Sequence, residues 1–203
     1  RLSVLLGGLR APSLLRPEPF RRAIGRVLPA RRFADLRAPL TVVTVDLDTG
    51  RPVLLGAGGE DADLLDALEA ACALPLYFPP VRVRGLRLVD GGVRAPLPLW
   101  VAAGIPADLV VAVDVGPRLD EEPAPAPVGV PALVRYADQA IGTLMAHGSE
   151  SEVALWRATP GRAPLLLVRP PMPEHATFRT DLAEQHAAEG RRAAGAALAA
   201  LPA

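Results

Sequence analysis

An aspartate followed by two glycines, Asp90-Gly91-Gly92, is the group of residues in this sequence best suited to chemistry. It comes directly after Val81–Val89, an alternating run around Gly85 that is typical of a β-hairpin. Because glycine tolerates unusual backbone angles and has no side chain to block close approach, a carboxylate here can be held on a sharp turn facing a reacting group. Partial burial would raise its pKa above the usual value of about 3.9 and favour a role as general base. On the tripeptide alone, a structural turn closed by the aspartate side chain is the favoured interpretation.

No serine in this sequence lies in the context of an activated nucleophile. A nucleophilic serine on a strained strand-to-helix turn is typically found in the pentapeptide Gly-x-Ser-x-Gly. That pentapeptide does not occur in the 203 residues. The nearest segment, His147–Ser151, lacks both outer glycines, and Ser3 and Ser13 lack the context as well. No serine in this chain therefore has the local sequence of such a nucleophile.

Other groups of polar or small residues are interpreted as structural. Gly56–Gly59 precedes three acidic residues that would repel a phosphate, so it predicts a turn rather than a nucleotide site. Asp46 and Asp114 each end a strand-like run and are predicted to bond to loop amides. Four arginines near the aspartate could meet an anionic head group, but their alternation on a hairpin is more typical of a solvated strand face: Arg82, Arg84, Arg87 and Arg94.

Cysteine and histidine usage predicts neither a disulfide nor a metal site. The single cysteine, Cys72, excludes an internal disulfide and is expected to be a buried small hydrophobe. The three histidines, His147, His175 and His186, are far apart and lack ligand spacing. We expect no metal and no organic cofactor.

Composition and charge fit one globular domain. About half of the residues are apolar (50%), enough for a substantial core. Since 22 basic residues balance 22 acidic ones, the basic surface that a nucleic-acid partner requires is not predicted. No apolar run reaches the roughly 20 residues of a membrane span. The chain begins at Arg1 without Met, so we expect an N-terminal segment to be missing and draw nothing from the lack of a targeting signal.

Strands that alternate with helices predict a three-layer α/β domain. Residues 118–131 are rich in Pro and acidic residues and are predicted to form a mobile surface loop. Besides the hairpin, the predicted strands are Leu40–Leu47, Arg51–Leu55, Leu109–Val115 and Leu165–Val168. Of these, Leu109–Val115 is the clearest buried strand in the sequence. The predicted helices are Leu2–Leu6, Pro19–Leu28, Ala62–Ala73 (capped by Asp61 or Asp63), Pro98–Ala103, Ala132–His147 and Asp181–Leu201.

Several sequence blocks resemble the patatin-like phospholipases. The resemblance rests on ALPLYFPPV (Ala73–Val81), VDGG (Val89–Gly92), the proline-rich helix start after it, and ADLVVAVDV (Ala107–Val115). The earlier strands in TVDLDTGRPVLL (Thr44–Leu55) fit the same pattern. These blocks keep the family's order and spacing over most of the chain.

The resemblance implies a three-layer domain with a mostly parallel central sheet, of which residues 1–203 are the C-terminal part. It implies a lipid acyl-ester hydrolase with a Ser-Asp dyad, in which Asp90 is the catalytic base and Gly91 and Gly92 shape its turn. Leu76, Tyr77 and Phe78 are candidates for an apolar substrate pocket. The implied partner is a lipid or acyl-ester substrate, with peripheral membrane contact compatible with that substrate and a cytoplasmic or membrane-peripheral location expected.

Two departures from the family pattern qualify this prediction. The nucleophile elbow and the glycine-rich oxyanion loop, whose backbone donors stabilise a tetrahedral intermediate, are absent. We expect both in a segment that precedes this chain, which should therefore be inactive alone. Where relatives often carry Asn after Asp-Gly-Gly, this chain has Pro96, so any hydrogen bond of that Asn is lost.

Two alternatives stay open at this point: a non-catalytic lipid-binding or regulatory relative, and a plain structural or nucleotide-binding α/β domain. Without the missing strands, Leu109–Val115 would present an unpaired edge and an uncovered apolar face, so we expect the isolated chain to associate.

Overall fold

The computed structural model describes residues 13–119, 131–171 and 182–201. The helix predicted at Leu2–Leu6, the residue His175 and most of the loop predicted at residues 118–131 lie outside these ranges. The chain divides into two compact units, Arg1–Arg94 and Ala95–Ala203. A single domain over the whole chain stays a prediction, as does its three-layer arrangement.

The first unit contains four strands and two helices in its described part. In chain order they are α1 (Pro17–Val27), β1 (Thr41–Asp46), β2 (Pro52–Gly56), α2 (Leu64–Ala71), β3 (Val81–Val83) and β4 (Leu86–Asp90), with short 3-10 turns at Phe33–Asp35 and Gly91–Val93. These bounds match the sequence predictions to within two or three residues.

The four strands form one sheet in the order β2-β1-β4-β3, with every pairing antiparallel. The expectation of a mostly parallel sheet is therefore not confirmed for the sheet that carries the Asp-Gly-Gly turn. The reason is local: each of the β1–β2 and β3–β4 pairs is joined by a short turn, whereas a parallel pair needs a crossover of about a dozen residues or more. Arg84 and Gly85 make the β3–β4 turn with φ angles of 52° and 85°, the geometry of a two-residue hairpin.

Helix α2 covers one face of this sheet and forms the core with it. Val42, Leu55 and Leu88 from three strands pack against Ala67 and Ala70 of the helix, and all five are buried. The small alanines let the helix lie close to the branched strand residues. The core therefore fixes where α2 ends relative to the end of β4.

Helix α2 begins at a side-chain cap. The Asp63 carboxylate accepts the backbone N–H groups of Leu65 (2.9 Å) and Asp66 (3.2 Å), which have no partner within the helix. Of the two caps that the sequence allows, the structure uses Asp63.

Replacing Asp63 by Ala should therefore lower the free energy of unfolding of the first unit by about 1 kcal/mol, as for other N-cap losses. Chemical denaturation of wild type and Asp63→Ala measures this difference. Asp63→Asn, which keeps an accepting oxygen, should lose much less, and equal losses in both variants would contradict the capping role.

Helix α1 packs on α2 through an ion pair and a close helix contact. The Arg21 guanidinium bonds the carboxylates of Asp66 (2.6 Å) and Glu69. Gly25 faces Leu65, and a methyl group added at Gly25 would lie 3.5 Å from the Leu65 Cδ2 atom, an ordinary contact distance.

Because glycine weakens a helix interior and space is available, Gly25→Ala should raise the free energy of unfolding by about 0.5–1 kcal/mol. Thermal unfolding followed by circular dichroism tests this gain. A lower melting temperature would mean that the α1–α2 contact is tighter than the 3.5 Å distance indicates.

The second unit pairs two parallel strands with three helices in its described part. Its elements are α3 (Leu99–Ala102), β5 (Val110–Val113), α4 (Ala132–Ala158), β6 (Leu165–Val168) and α5 (Ala183–Ala199). Its core contains Leu97, Ala112, Val153 and Trp156, and the Trp156 indole N–H donates to the carbonyl of Ala163 (3.0 Å).

Two sequence predictions for this unit are corrected. Strand β5 is not fully buried, because Val111 and Val113 are 51% and 55% exposed while the opposite face packs against the helices. Helix α4 does not end at His147 but continues to Ala158. Gly148 is tolerated inside it because the next residue, Ser149, is buried and the helix surface there contributes to the core.

Candidate active site

Asp90 is the last residue of β4 and is anchored by its backbone at two places. It pairs with Thr44 of β1 in the sheet, and its N–H donates to the carbonyl of Ala73 (3.1 Å), just after the end of α2. The backbone of Asp90 is thus tied both to the central strand and to the end of a helix. Ala73 was not identified from the sequence, because a backbone carbonyl leaves no side-chain signal.

The Asp90 side chain is held by the turn that follows it. Its Oδ1 atom accepts the N–H of Gly92 at 2.7 Å and so caps the 3-10 turn Gly91–Val93. This is the structural interaction considered as the alternative role for Asp90. It leaves the second carboxylate oxygen without a bond to this turn, so a capping role and a chemical role are compatible.

Gly91 is required by close packing rather than by its backbone angles. It is buried, and a Cβ atom at this position would lie 2.5 Å from the carbonyl oxygen of Val43 in β1 and 2.9 Å from the carbonyl carbon. Real Cβ atoms do not approach backbone atoms this closely. Glycine therefore lets the turn after Asp90 lie directly against the central strand.

Burial raises the pKa of the Asp90 carboxyl, and the hydrogen bond from Gly92 opposes this shift to a smaller extent. A carboxylate with a raised pKa is a stronger base than a solvated one. The negative charge of Asp90 also contributes to a raised pKa at Cys72, where desolvation of the thiol is the larger cause. Cys72 is exposed as a residue, so the expectation that it is a buried hydrophobe is wrong.

The three candidate pocket residues follow α2 in a constrained segment. Leu76 has a φ of 81°, which residues other than glycine rarely adopt, and its carbonyl accepts the N–H of Leu14 (2.9 Å). The Tyr77 carbonyl accepts from Leu15 (2.9 Å), and the Phe78 ring lies 5.4 Å from the ring of Phe20 in α1. All three are half-buried. Their role in substrate binding stays a prediction.

The first unit also contains a cavity of about 670 Å³. It is lined by residues of β2, β3 and β4 and of the turns after β2 and β3, among them Val53, Leu55, Gly59, Arg84 and Leu88. Leu76, Tyr77 and Phe78 are not among its lining residues. The structure thus does not bring the candidate pocket residues together with this cavity.

Structural contacts account for Asp46, Asp114 and three of the four arginines near Asp90. Asp46 accepts the Thr49 hydroxyl (2.6 Å) in the β1–β2 turn, and Asp114 accepts Arg169 (3.1 Å) in the second unit. Three of the four arginines near Asp90 also bond within the first unit, namely Arg84 with Glu60, Arg87 with Asp48 and Arg94 with the Gly50 carbonyl.

The serines at the imperfect elbow motif do not form an elbow. Ser149 is buried within α4, and the Ser151 hydroxyl lies 3.5 Å from the His147 Nε2 atom on the exposed side of the same helix. Within residues 13–119, 131–171 and 182–201, no group of three or more His, Cys, Asp and Glu side chains could hold a metal ion. The helices of this part of the chain are too short or too polar to cross a membrane.

Comparison with known proteins identifies one family. The family model described as patatin-like phospholipase matches residues 1–103. An uncharacterized NTE family protein of Mycobacterium tuberculosis is 35% identical over 127 residues, which cover 60% of this chain and 34% of the relative. A Mycobacterium bovis protein of the same description matches equally well. The uncharacterized protein YqhO of Bacillus subtilis is 27% identical over 105 residues, 46% of this chain and 36% of that protein. The chain thus spans about a third of the length of these curated relatives.

Proposed function

The chain belongs to the patatin-like phospholipase family, and we propose on this basis that the complete protein is a lipid acyl-ester hydrolase in which Asp90 is the general base. The observation that carries the proposal is the position and environment of the Asp90 carboxylate. Its carboxylate ends a strand, is partly buried, has a raised pKa and is followed by a glycine packed against the central strand. These are the properties that a positioned base needs.

The proposed reaction proceeds through an acyl-enzyme. A serine hydroxyl, supplied by a part of the protein outside residues 1–203, attacks the ester carbonyl while Asp90 accepts its proton. The tetrahedral intermediate collapses and releases the alcohol, which takes the proton from Asp90. Water then attacks the acyl-enzyme with Asp90 again accepting a proton, and the fatty acid leaves as serine is restored. No metal or organic cofactor takes part in these steps.

The hydrogen bonds of its main chain and side chain support Asp90, rather than Asp46 or Asp114, as the general base. The Ala73 and Thr44 backbones hold its main chain, and the Gly92 N–H holds one carboxylate oxygen. Asp46 and Asp114 are more deeply buried, but each carboxylate already accepts a hydrogen bond from a neighbouring side chain. A base must keep a free oxygen in reach of the proton it accepts.

The test uses the complete protein, because the proposed nucleophile lies outside this chain. A fluorophosphonate probe reacts covalently with an activated serine, and a chromogenic acyl ester reports turnover. We expect probe labelling and hydrolysis by the complete protein and neither by residues 1–203 alone. If the complete protein binds fatty acid but is not labelled and does not hydrolyse esters, a non-catalytic lipid-binding role replaces the proposal.

A further inference from the structure

The segment after helix α2 makes a tight turn that carries leucine where glycine is usual. The Tyr77 N–H donates to the Leu74 carbonyl (3.1 Å), so residues 74–77 form a hydrogen-bonded β-turn. Pro75 is its second residue, and Leu76, its third, has a φ of 81°. Proline at the second position and a φ near 80° at the third are the features of a type II turn, whose third residue is normally glycine or asparagine. Leu76 therefore adopts a conformation that its side chain disfavours.

The surroundings impose this conformation on Leu76. The left-handed region is unfavourable for a residue with a Cβ atom, and a type I turn would hold the same leucine at a negative φ. The carbonyls of Leu76 and of the next residue accept N–H groups from residues 14 and 15, each at 2.9 Å. Arg84 also has a positive φ, but it lies beside Gly85 in a two-residue hairpin that requires one. Strained backbone such as that of Leu76 is concentrated at functional sites.

The Leu76 side chain has no evident role in the cores. Glycine at this position would fit the turn without strain, so a leucine here indicates that the side chain itself contributes something. It is half-buried, but it is not among the side chains that form either hydrophobic core in the described part of the chain. Phe78 differs in this respect, because its ring packs on the ring of Phe20 in α1. Leu76 thus combines an unfavourable backbone with a side chain that core packing does not explain.

The turn is tied to the proposed base by a hydrogen bond. Ala73 directly precedes the turn, and its carbonyl accepts the Asp90 N–H (3.1 Å). Since consecutive Cα atoms are 3.8 Å apart, the Cα atom of Leu76 lies no further than about 11 Å from that of Ala73. Leu76 is therefore an apolar side chain, partly open to solvent, in the neighbourhood of the residue that anchors Asp90.

We propose that Leu76 is a specificity-determining residue, whose side chain contacts the acyl chain of an ester bound at Asp90. This inference rests on the proposed hydrolase function and names the acyl chain as the part of the substrate that Leu76 recognises. Contact between the two apolar groups removes both from water, which favours acyl chains that are long enough to reach the leucine. An acetyl group should gain nothing from Leu76, whereas an octanoyl chain should.

Thermal unfolding of residues 1–203 tests the strain independently of any activity. Leu76→Gly and Leu76→Ala both lack the leucine side chain, but only glycine tolerates a positive φ well. We expect the glycine variant to melt about 2–4 °C above the alanine variant. At Leu86, a strand residue that is 39% exposed, the same two changes should give the opposite order, because glycine weakens a strand with ordinary backbone angles.

Ester hydrolysis by the complete protein tests the contact itself. For wild type and Leu76→Ala, kcat/KM is measured with the acetyl and octanoyl esters of 4-nitrophenol. We expect Leu76→Ala to lower kcat/KM about tenfold for the octanoyl ester, the discrimination typical of a small apolar contact, and to leave the acetyl ester unchanged. Leu76→Met, which keeps a side chain of similar volume, should retain the wild-type preference for the octanoyl ester.

Leu86→Ala is the matched control for hydrolysis. Leu86 and Asp90 are the first and last residues of β4, so their Cα atoms are about 13 Å apart along the strand. The control loses the same side chain from the same unit and should keep both rates. Leu76→Gly is a second test variant, should the alanine variant be too unstable to assay. It relaxes the turn and should lose octanoyl hydrolysis as selectively as Leu76→Ala.

Four results would overturn the inference. If Leu76→Gly melts no higher than Leu76→Ala, the leucine is not strained and the argument for a functional side chain is lost. An equal loss for both esters would mean that Leu76 packs against another part of the protein or holds Asp90, without contacting the acyl chain. Unchanged rates with both esters would remove Leu76 from the site and leave the proposed hydrolase intact. A wild-type protein that hydrolyses neither ester would instead overturn the proposed function, and this inference with it.

Discussion

Asp90→Asn is expected to lower ester hydrolysis by the complete protein by about 10²–10⁴-fold, the usual contribution of a general base. The amide of Asn can still accept the Gly92 N–H, so the turn is kept, but it cannot take the serine proton. Initial rates of ester cleavage measure the loss. Asp61→Asn, which changes an exposed aspartate outside the site, is the control and should keep wild-type rates. Equal rates in wild type and Asp90→Asn would remove Asp90 from the mechanism.

The raised pKa of Asp90 gives this prediction a dependence on pH. Only the ionised carboxylate can accept a proton, so hydrolysis should fall as pH drops through the folded-state pKa, at a higher pH than for a solvated aspartate. A rate profile that stays flat down to the ordinary carboxyl pKa of about 3.9 would contradict the effect of burial.

The raised pKa of Asp90 also predicts that Asp90→Asn is more stable than wild type at neutral pH. When the folded-state pKa is raised, the folded protein binds the proton more tightly than the unfolded chain does. The ionised carboxylate then lowers stability as pH rises above the unfolded pKa of about 3.9, and the full effect is reached above the folded pKa. Asn carries no charge, so the gain should vanish in acid. Thermal unfolding of both proteins across pH measures it.

Gly91→Ala is expected to lower the free energy of unfolding by about 3 kcal/mol, at the upper end of the range for overpacking. The added methyl group would lie 2.5 Å from the Val43 carbonyl oxygen, and this oxygen belongs to the central strand of the sheet, which cannot move aside without breaking its pairing with β2 and β4. Urea unfolding of residues 1–203 measures the loss.

The effect of Gly91→Ala should be opposite in sign to that of Gly25→Ala, where the nearest atom is an ordinary 3.5 Å away. The contrast separates local crowding from the general effect of replacing a glycine. In the complete protein, Gly91→Ala should also reduce hydrolysis, because the turn that fixes Asp90 must shift. A variant with wild-type stability would show that β1 and the turn can separate freely.

Features encoded by neighbouring residues could be predicted from the sequence. The hairpin around Gly85, the Asp63 cap and strand β6 each depend on a few adjacent residues, and the structure has all three. Asp90 was singled out from a short motif with its flanking blocks, and its catalytic role stays a prediction. Prediction failed where the deciding contact is distant in sequence.

Gly91 illustrates this limit, since the Val43 carbonyl that requires a glycine lies on another strand. The Ala73 carbonyl that binds the Asp90 N–H is likewise invisible in the sequence, because any residue would supply it. Helix α4 was predicted to end at His147, whereas burial of Ser149 and Val153 carries the helix past this point to Ala158. The exposure of Cys72 was missed because cysteine is buried in most proteins.

The antiparallel sheet of the first unit also has a consequence for the order of folding. All four of its strands lie between Thr41 and Asp90. The β1–β2 and β3–β4 pairings join neighbours in sequence, and the β1–β4 pairing spans one helix and two strands. Closing the loops between these strands costs little chain entropy, because the loops are short. Strand β5, in contrast, can pair with β6 only after the whole of α4 has been synthesised. On a ribosome, the strand that carries Asp90 can therefore reach its native neighbours while the second unit is still being synthesised.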